Sequence, residues 1–310
     1  MRYGWAFTLL AACSSTSKQP AVADAATSGD AANHTDATVT GGGTCDGRTA
    51  QPLDADWMIT VGTTQRLAHV HVPASYDPTH ATPLVIDIHG RTSNGTQQEA
   101  ISGYIPKSDA AGFIVVHPES STSPTSWNSG GGCCDPAESD HVDDVGFMKN
   151  LLDELEAKLC VDPDRVYTTG LSNGGYLSYT LACEMSDRIA AIGSVAGLEQ
   201  DSPCGVKRPM PVFHVHGDND PIVSYSWVPQ TIDFWTHYNQ CTTETTTYHN
   251  GSVTCVTHGG CSAGADVVLC TVANGGHQWP GGETIPFLGN NTNDINATDA
   301  QWEFFVAHPR

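Results

Sequence analysis

Basic residues are scarce in this chain, and long hydrophobic runs are missing from it. The 310 residues include 13 Lys and Arg against 34 Asp and Glu, which gives a formal net charge of −21. A nucleic-acid-binding protein needs clustered cations to neutralise phosphates, so the charge argues against that class. No stretch comes near the roughly 18 uninterrupted apolar residues of a membrane-spanning helix. Hydrophobic residues still make up 39% of the chain, which is enough for a core.

The cysteines lack a zinc-binding pattern. No Cys-x-x-Cys pair occurs, and Cys133 and Cys134 are adjacent, so a structural zinc site is disfavoured. Eleven cysteines are nevertheless many for a reducing cytosol, and they indicate an oxidising compartment. Without Cys13, ten cysteines remain, which is an even number. Those cysteines are candidates for disulfide bonds whose pairing the sequence leaves open.

The N-terminal segment is typical of an exported bacterial lipoprotein. A short apolar run ends in Leu10-Ala11-Ala12-Cys13. Residues 1–12 are therefore predicted to be a lipoprotein-type signal peptide, with Cys13 as the lipid attachment site. An ordinary secretory signal with an incidental cysteine is the alternative. Residues 13–44 are rich in Ser, Thr, Ala and Gly, and they predict a flexible tether before one folded domain over 45–310. The protein is expected at the cell envelope or outside the cell, touching the membrane only through the lipid.

Patterns of strands and helices alternate through most of the folded region. Apolar residues recur every three or four positions between Val145 and Leu159, which predicts a helix over 144–160 with Asp144 as its N-cap. A last helix is expected to begin at Thr298, with Gln301 completing a capping box. The alternation predicts a mostly parallel sheet with helices on both faces. Its strands are predicted at 67–72, 83–89, 112–117, 165–169, 189–195, 211–216 and 266–272.

The segment Gly170-Leu171-Ser172-Asn173-Gly174 matches the Gly-x-Ser-x-Gly pattern of a nucleophile elbow. The pattern alone occurs often by chance. Here it follows a predicted strand and precedes a predicted helix over 176–185, which is the setting that an elbow needs. The turn would present the Ser172 hydroxyl at a helix N-terminus, where developing negative charge is favoured. The sequence therefore predicts Ser172 as a catalytic nucleophile.

A serine nucleophile needs a general base and a carboxylate that orients it. His277 lies in a glycine-rich loop directly after a predicted strand, and it is the candidate base. Asp218 and Asp220 both follow the strand over 211–216, so both are candidates for the acid. Asp220 is favoured because it lies further into the loop, whereas Asp218 suits a simple turn.

An oxyanion hole needs two backbone N–H donors near the nucleophile. Asn173 follows Ser172 directly and supplies one candidate donor. The loop after the early strand over 83–89 is placed to supply the second, from the N–H of Arg91. The chain order of serine, aspartate and histidine is the one found in α/β-hydrolases.

Several longer blocks together resemble the bacterial polyhydroxybutyrate depolymerase-like esterases, a group that shades into feruloyl and acetylxylan esterases. The resemblance covers the chain from about residue 65. It implies an α/β-hydrolase catalytic domain over 45–310 and a triad of Ser172, Asp220 and His277. Family members often have a cysteine where this chain has Arg91, a change that the backbone donor survives. The blocks are 88–90, 142–147, 162–167, 170–175, 216–220 and 276–282.

Two tryptophans are tentative substrate-binding residues. Trp127 lies in a segment, 127–134, that also resembles the family. Its indole would stack on an aromatic acyl group or a polyester chain; the alternative is a disulfide-linked surface loop. Trp279, two residues after His277, is either a second wall of the cleft or a packing residue.

Two pairs of histidines present a possible metal site, since His69 and His71, like His214 and His216, lie two residues apart on predicted strands. Neither pair has an obvious third ligand, so metal catalysis is disfavoured. The Asn- and Asp-rich stretch over 289–299 suits a solvated loop better than a calcium site.

The residues and the resemblance together predict an exported serine carboxylic ester hydrolase that forms an acyl-enzyme and needs no cofactor. The expected partner is an ester substrate, namely a hydroxyalkanoate polyester or its oligomers. The alternative substrate is plant polysaccharide carrying feruloyl or acetyl groups. A non-enzyme alternative is a surface lipoprotein that uses an inactive hydrolase fold as a binding scaffold.

Overall fold

The computed structural model describes residues 45, 48, 51, 53–131, 133–200 and 203–310. The predicted signal peptide, the predicted tether and Cys13 lie outside these residues. The strands are β1 (Asp54–Val61), β2 (Thr64–His71), β3 (Thr82–Ile88), β4 (Ile114–Pro118), β5 (Val161–Gly170), β6 (Ala191–Val195), β7 (Val212–Gly217), β8 (Thr243–Asn250), β9 (Val253–Gly259) and β10 (Val267–Val272). The helices are α1 (Gly95–Ser102), α2 (Tyr104–Ala111), α3 (Asp144–Lys158), α4 (Asn173–Glu184), α5 (Val228–Tyr238) and α6 (Ala297–Ala307).

The described strands form one sheet in the order β1-β2-β4-β3-β5-β6-β7-β10-β9-β8. Neighbours from β4 through β10 pair in parallel. Antiparallel pairs complete both ends of the sheet. Because parallel strands end at the same edge, the loops that follow β3, β5, β7 and β10 all begin along one edge of the sheet.

Side chains of the central strands alternate between two apolar layers. On β3, Leu84 points into a layer that it shares with Phe147 of α3 and with residues of α4 and α5. The next residue, Val85, points into the opposite layer with Tyr104 of α2 and Phe305 of α6. The predicted sheet, mostly parallel with helices on both faces, is therefore confirmed. Among the described helices, none has the length and apolar character needed to cross a membrane.

Two predicted helix N-caps are wrong. The N-cap of α3 is Asp143, whose carboxylate accepts a hydrogen bond from the first turn. Asp144 is the first helical residue, and its carboxylate pairs with Arg66 instead. The N-cap of α6 is Asn296 rather than Thr298, whose hydroxyl donates to a backbone carbonyl of α1. In both cases a tertiary partner takes the side chain that the local pattern assigned to the cap.

Disulfide bonds pair the ten cysteines within the described residues, which confirms that prediction. One bond joins Cys255 to Cys270, which face each other on the neighbouring strands β9 and β10. Another joins residues 115 positions apart, and cross-links of such long loops restrict the unfolded chain most. The pairs are Cys45–Cys160, Cys133–Cys134, Cys183–Cys204, Cys241–Cys261 and Cys255–Cys270.

A buried ion pair connects β2 to the beginning of α3. Arg66 Nη1 lies 2.6 Å from Asp144 Oδ1, and the two side chains are 4% and 0% exposed. Burial lowers the pKa of Arg66 and raises the pKa of Asp144, so each charge depends on the other. The other carboxylate oxygen accepts from the N–H of Asn128 at 2.7 Å. The pair therefore also holds the loop that contains Trp127.

We expect the Arg66→Met substitution to lower the free energy of unfolding by about 3–5 kcal/mol, because it leaves a buried carboxylate without its cation. The matched control is Arg188→Met, which breaks the partly exposed pairs of Arg188 with Asp153 and Glu156. This control should cost less than about 1 kcal/mol. Urea unfolding of both variants measures the difference, and equal losses would contradict the importance of the buried pair.

Candidate active site

Ser172 occupies a sharp turn between β5 and α4. Its backbone angles are φ 55° and ψ −122°, a conformation that costs a non-glycine residue roughly 1–3 kcal/mol and that the surroundings must hold. The Ser172 N–H donates to the carbonyl of Val195 at 2.8 Å, and its carbonyl accepts from Tyr176 at 2.9 Å. Helix α4 begins at the next residue, Asn173, so its N-terminus lies beside the serine.

The glycines of this turn are required by close packing against the end of β3. A Cβ atom at Gly174 would lie 2.0 Å from the carbonyl oxygen of Ile88, and one at Gly170 would lie 2.5 Å from the same atom. Real Cβ atoms do not approach so closely, so neither position accepts a larger residue without movement. The elbow is thereby pressed against the strand whose following loop contains Gly90.

Asp220 and His277 are in contact on the loops that follow β7 and β10. His277 Nδ1 lies 2.7 Å from Asp220 Oδ2, while Asp220 Oδ1 accepts two backbone N–H groups of its own loop. Burial alone would raise the pKa of Asp220, but hydrogen bonds from His216 and His277 bring this pKa well below its usual range. The carboxylate is therefore ionised. Asp218 does not contact His277; it accepts from the N–H of Asn274 at 2.6 Å.

The His277 loop is fixed by its own hydrogen bonds. The His277 N–H donates to the carbonyl of Leu288 at 2.7 Å. The next side chain, Gln278, is buried and bonds to three backbone groups of the returning chain. The loop also lies directly against the end of β7, because a Cβ at Gly217 would be 2.3 Å from the carbonyl oxygen of Gly275. These contacts set the distance between the histidine and the aspartate.

The peptide between Gly90 and Arg91 lies beside Ser172, since a Cβ at Gly90 would be 3.4 Å from Ser172 Cβ. His89 orients this peptide. Its Nδ1 donates to the Gly90 carbonyl at 2.7 Å, and its Nε2 accepts from Ser120 at 3.2 Å. Burial lowers the pKa of His89 to about 4, so the ring is neutral. Within one peptide the C=O and N–H point in opposite directions, so the Arg91 N–H points away from this ring.

The backbone and the side chain of Asn173 have different roles. As the first residue of α4 it has an N–H with no partner inside the helix. Its side chain is buried and holds the loop over 127–134. Oδ1 accepts from the N–H of Trp127 at 2.7 Å, and Nδ2 donates to the carbonyl of Trp127 and to Ser129 Oγ, both at 3.1 Å. The side chain is therefore structural.

The substrate-stacking interpretation of Trp127 is wrong, and so is the interpretation of Trp279 as a wall of the cleft. Both indoles are 0% exposed, so no ring face is left for a substrate. Trp127 Nε1 donates to the carbonyl of His89 at 2.8 Å, and the ring stacks on Phe147. Trp279 Nε1 donates to Thr298 Oγ1 at 3.0 Å. The packing alternative therefore holds for Trp279, and Trp127 is a buried packing residue rather than part of a surface loop.

The histidine pairs are occupied by hydrogen bonds within the protein. Both ring nitrogens of His69 and of His71 contact carboxylates of neighbouring elements. His214 and His216 bond to each other, at 3.1 Å between Nε2 and Nδ1, and each has a further partner. Their spacing on one strand was predicted, but the contact of His216 with Asp220 was not. Their position on one face of a strand was the signal that pointed to a shared contact.

Comparison with known proteins identifies the family of the chain. A family model described as phospholipase/carboxylesterase matches residues 70–259, a range that includes Ser172 and Asp220 and ends before His277. Feruloyl esterase B of Piromyces equi is 31% identical over 230 residues, covering 67% of this chain and 42% of that protein. The bifunctional acetylxylan esterase/xylanase XynS20E of Neocallimastix patriciarum is 26% identical over 216 residues, covering 68% of this chain and 30% of the relative. The chain thus spans less than half the length of either relative.

A solved structure shows the same fold. An acetyl xylan esterase from Aspergillus awamori superposes with a TM-score of 0.62 at 17% identity, covering 81% of this chain and 99% of that chain. This likeness supports the fold, and it confirms the α/β-hydrolase prediction. Because the family match covers more than half of its residues, the chain belongs to the phospholipase/carboxylesterase family of α/β-hydrolases.

Proposed function

We propose that this chain is an exported serine carboxylic ester hydrolase with Ser172 as nucleophile, His277 as general base and acid, and Asp220 as the orienting carboxylate. One observation carries the proposal. The 2.7 Å hydrogen bond between ionised Asp220 and His277 Nδ1 lies at the same sheet edge as the strained turn of Ser172. The relatives named as esterases support the same class of reaction.

Asp220 sets the tautomer of His277. A carboxylate only accepts hydrogen bonds, so His277 Nδ1 carries the hydrogen and Nε2 keeps a lone pair for the serine proton. Ser172 Oγ attacks the ester carbonyl carbon while its proton passes to Nε2. The resulting imidazolium is stabilised by the negative charge of Asp220, and it returns the proton to the leaving alcohol. Water then hydrolyses the acyl-enzyme by the same steps, which restores Ser172 and releases the acid.

The developing oxyanion has two candidate donors, the N–H groups of Arg91 and Asn173. The His89 hydrogen bond to the Gly90 carbonyl turns the Arg91 N–H away from the buried ring. The Asn173 N–H belongs to the first helical turn, where no carbonyl of the helix accepts it and the helix dipole favours negative charge. Loss of one such donor raises the barrier by about 3 kcal/mol in other acyl-transfer enzymes.

We infer that the substrates are feruloyl or acetyl esters on plant polysaccharide. The support is that relatives named feruloyl esterase B and acetylxylan esterase/xylanase match over about two thirds of this chain. The polyester activity expected from the sequence resemblance stays a prediction. The alternative of a binding scaffold is disfavoured, because a scaffold has no need of an ionised Asp220 bonded to His277.

We propose export through the signal peptide over 1–12, with a lipid on Cys13 and a tether over 13–44 that precedes the catalytic domain over 45–310. The sequence pattern of the first thirteen residues supports the anchor. The disulfide bonds of the described residues support export, because such bonds persist in oxidising compartments.

We expect Ser172→Ala to lower kcat/KM for a short-chain p-nitrophenyl ester by roughly 10⁴-fold or more, because the acyl-enzyme cannot form. The matched control is Ser75→Ala, since Ser75 is an exposed serine in the loop that precedes β3, at the opposite edge of the sheet. Steady-state kinetics on both variants measure the effect. Full activity in the Ser172→Ala variant would refute the proposed nucleophile.

Substrate class is tested by comparing kcat/KM on methyl ferulate, acetylated xylan and polyhydroxybutyrate oligomers. We expect hydrolysis of the feruloyl or acetyl esters to exceed that of the polyester by at least about tenfold, a difference of roughly 1.4 kcal/mol in transition-state binding. The Ser172→Ala protein serves as the blank for each substrate. A preference for the polyester would instead favour the hydroxyalkanoate interpretation.

A further inference from the structure

A line of buried polar side chains leads from the core to the carboxylate of Asp220. Tyr179 lies on α4, and its hydroxyl is 2.8 Å from His214 Nδ1 on β7. His214 Nε2 is 3.1 Å from His216 Nδ1, two residues along the same strand. His216 Nε2 lies 3.4 Å from Asp220 Oδ2. The tyrosine and both histidines are at most 1% exposed, so bulk water does not compete for these bonds.

The partners of His216 determine where its hydrogen lies. Nε2 faces the carbonyl oxygen of Val223 at 2.9 Å and the carboxylate of Asp220. Both groups only accept, so Nε2 carries a hydrogen. In neutral His216, Nδ1 then accepts from His214 Nε2, which leaves His214 Nδ1 to accept the hydroxyl hydrogen of Tyr179. Burial lowers the pKa of His214 and raises the pKa of Tyr179, so both of these groups are uncharged.

The ring of His216 contacts both the carboxylate of Asp220 and the loop that contains this aspartate. The N–H of Val223 donates to Asp220 Oδ1 at 2.9 Å, and the carbonyl of the same residue accepts from His216 at 2.9 Å. Oδ2 is shared between His277 and His216. Without the His216 ring, Oδ1 would keep its backbone donors, but Oδ2 would have a single partner. The plane of the carboxylate would then be free to turn away from His277.

We propose that His216, oriented by His214 and Tyr179, is a positioning residue that keeps the carboxylate of Asp220 directed at His277. The inference rests on the proposed function of Asp220 and His277 as triad members. His216 is buried behind the carboxylate and does not face substrate. Its removal therefore affects the proton-transfer steps and leaves substrate binding intact.

The test compares His216→Leu, which removes the donor, with His216→Gln, which places an amide N–H near the position of Nε2. We expect kcat on a p-nitrophenyl ester to fall about 10- to 100-fold in the leucine variant, and to recover largely in the glutamine variant. KM should stay within about twofold of the wild-type value in both. A purely structural role would not produce a loss confined to kcat with rescue by glutamine.

A second variant pair tests the far end of the line. Tyr179→Phe removes only the hydroxyl that orients His214, and we expect kcat to fall by about two- to fivefold. The matched control is Tyr167→Phe, because the buried hydroxyl of Tyr167 has no hydrogen-bond partner among the described residues. This control should leave kcat unchanged.

The downfield proton NMR resonance of His277 Nδ1–H gives a readout that needs no activity. It is assigned by its loss in His277→Gln, and it should shift in His216→Leu and Tyr179→Phe but not in Tyr167→Phe. Unchanged kcat and resonance in folded His216→Leu would overturn the proposal. If that variant does not fold, the same result in Tyr179→Phe overturns it. If the wild-type protein showed no Ser172-dependent ester hydrolysis, that result would refute the triad instead. The His277 resonance would then still test whether His216 positions the carboxylate of Asp220.

Discussion

The hydrogen bond between Asp220 and His277 is the contact on which the site depends, and the parallel sheet makes it possible. The two residues follow β7 and β10, neighbouring strands that end at the same edge. The elbow of Ser172 ends a third strand of that edge, β5. A serine in a strained turn can act as a nucleophile only if a general base with a fixed tautomer lies beside it. The strand order, the glycine contacts and the buried carboxylate all contribute to this arrangement.

Much of the molecule behind this edge keeps loops in place rather than touching substrate. The Arg66–Asp144 pair holds Asn128, the next residue along from Trp127. Trp127 is bonded in turn to the side chain of Asn173, the residue that follows Ser172. Such polar contacts are stronger within the core than in water, because the local dielectric is low. On the other side of the elbow, the neutral ring of His89 orients the peptide that precedes Arg91.

Local signals in the sequence were enough to predict the alternating fold and the two loops whose residues Asp220 and His277 are in contact. The Gly-x-Ser-x-Gly turn and the glycine-rich loop of His277 follow from backbone requirements that a short motif can carry. The choice between Asp218 and Asp220 stayed open from the residues alone, because both follow the same strand. Features set by distant partners were missed or wrong, including the burial of Trp127 and the contact of His216 with Asp220. Strand β8 was not predicted, since its residues are all exposed and show no apolar alternation.

The most direct measurement of the central claim is the position of a covalent fluorophosphonate adduct, because such reagents react only with a serine that a neighbouring base activates. The protein is incubated with the reagent, digested and analysed by mass spectrometry. We expect a single adduct on the peptide that contains Ser172, and we expect Asp220→Asn to slow the labelling strongly. An adduct on another serine, or no adduct on a folded protein, would contradict it.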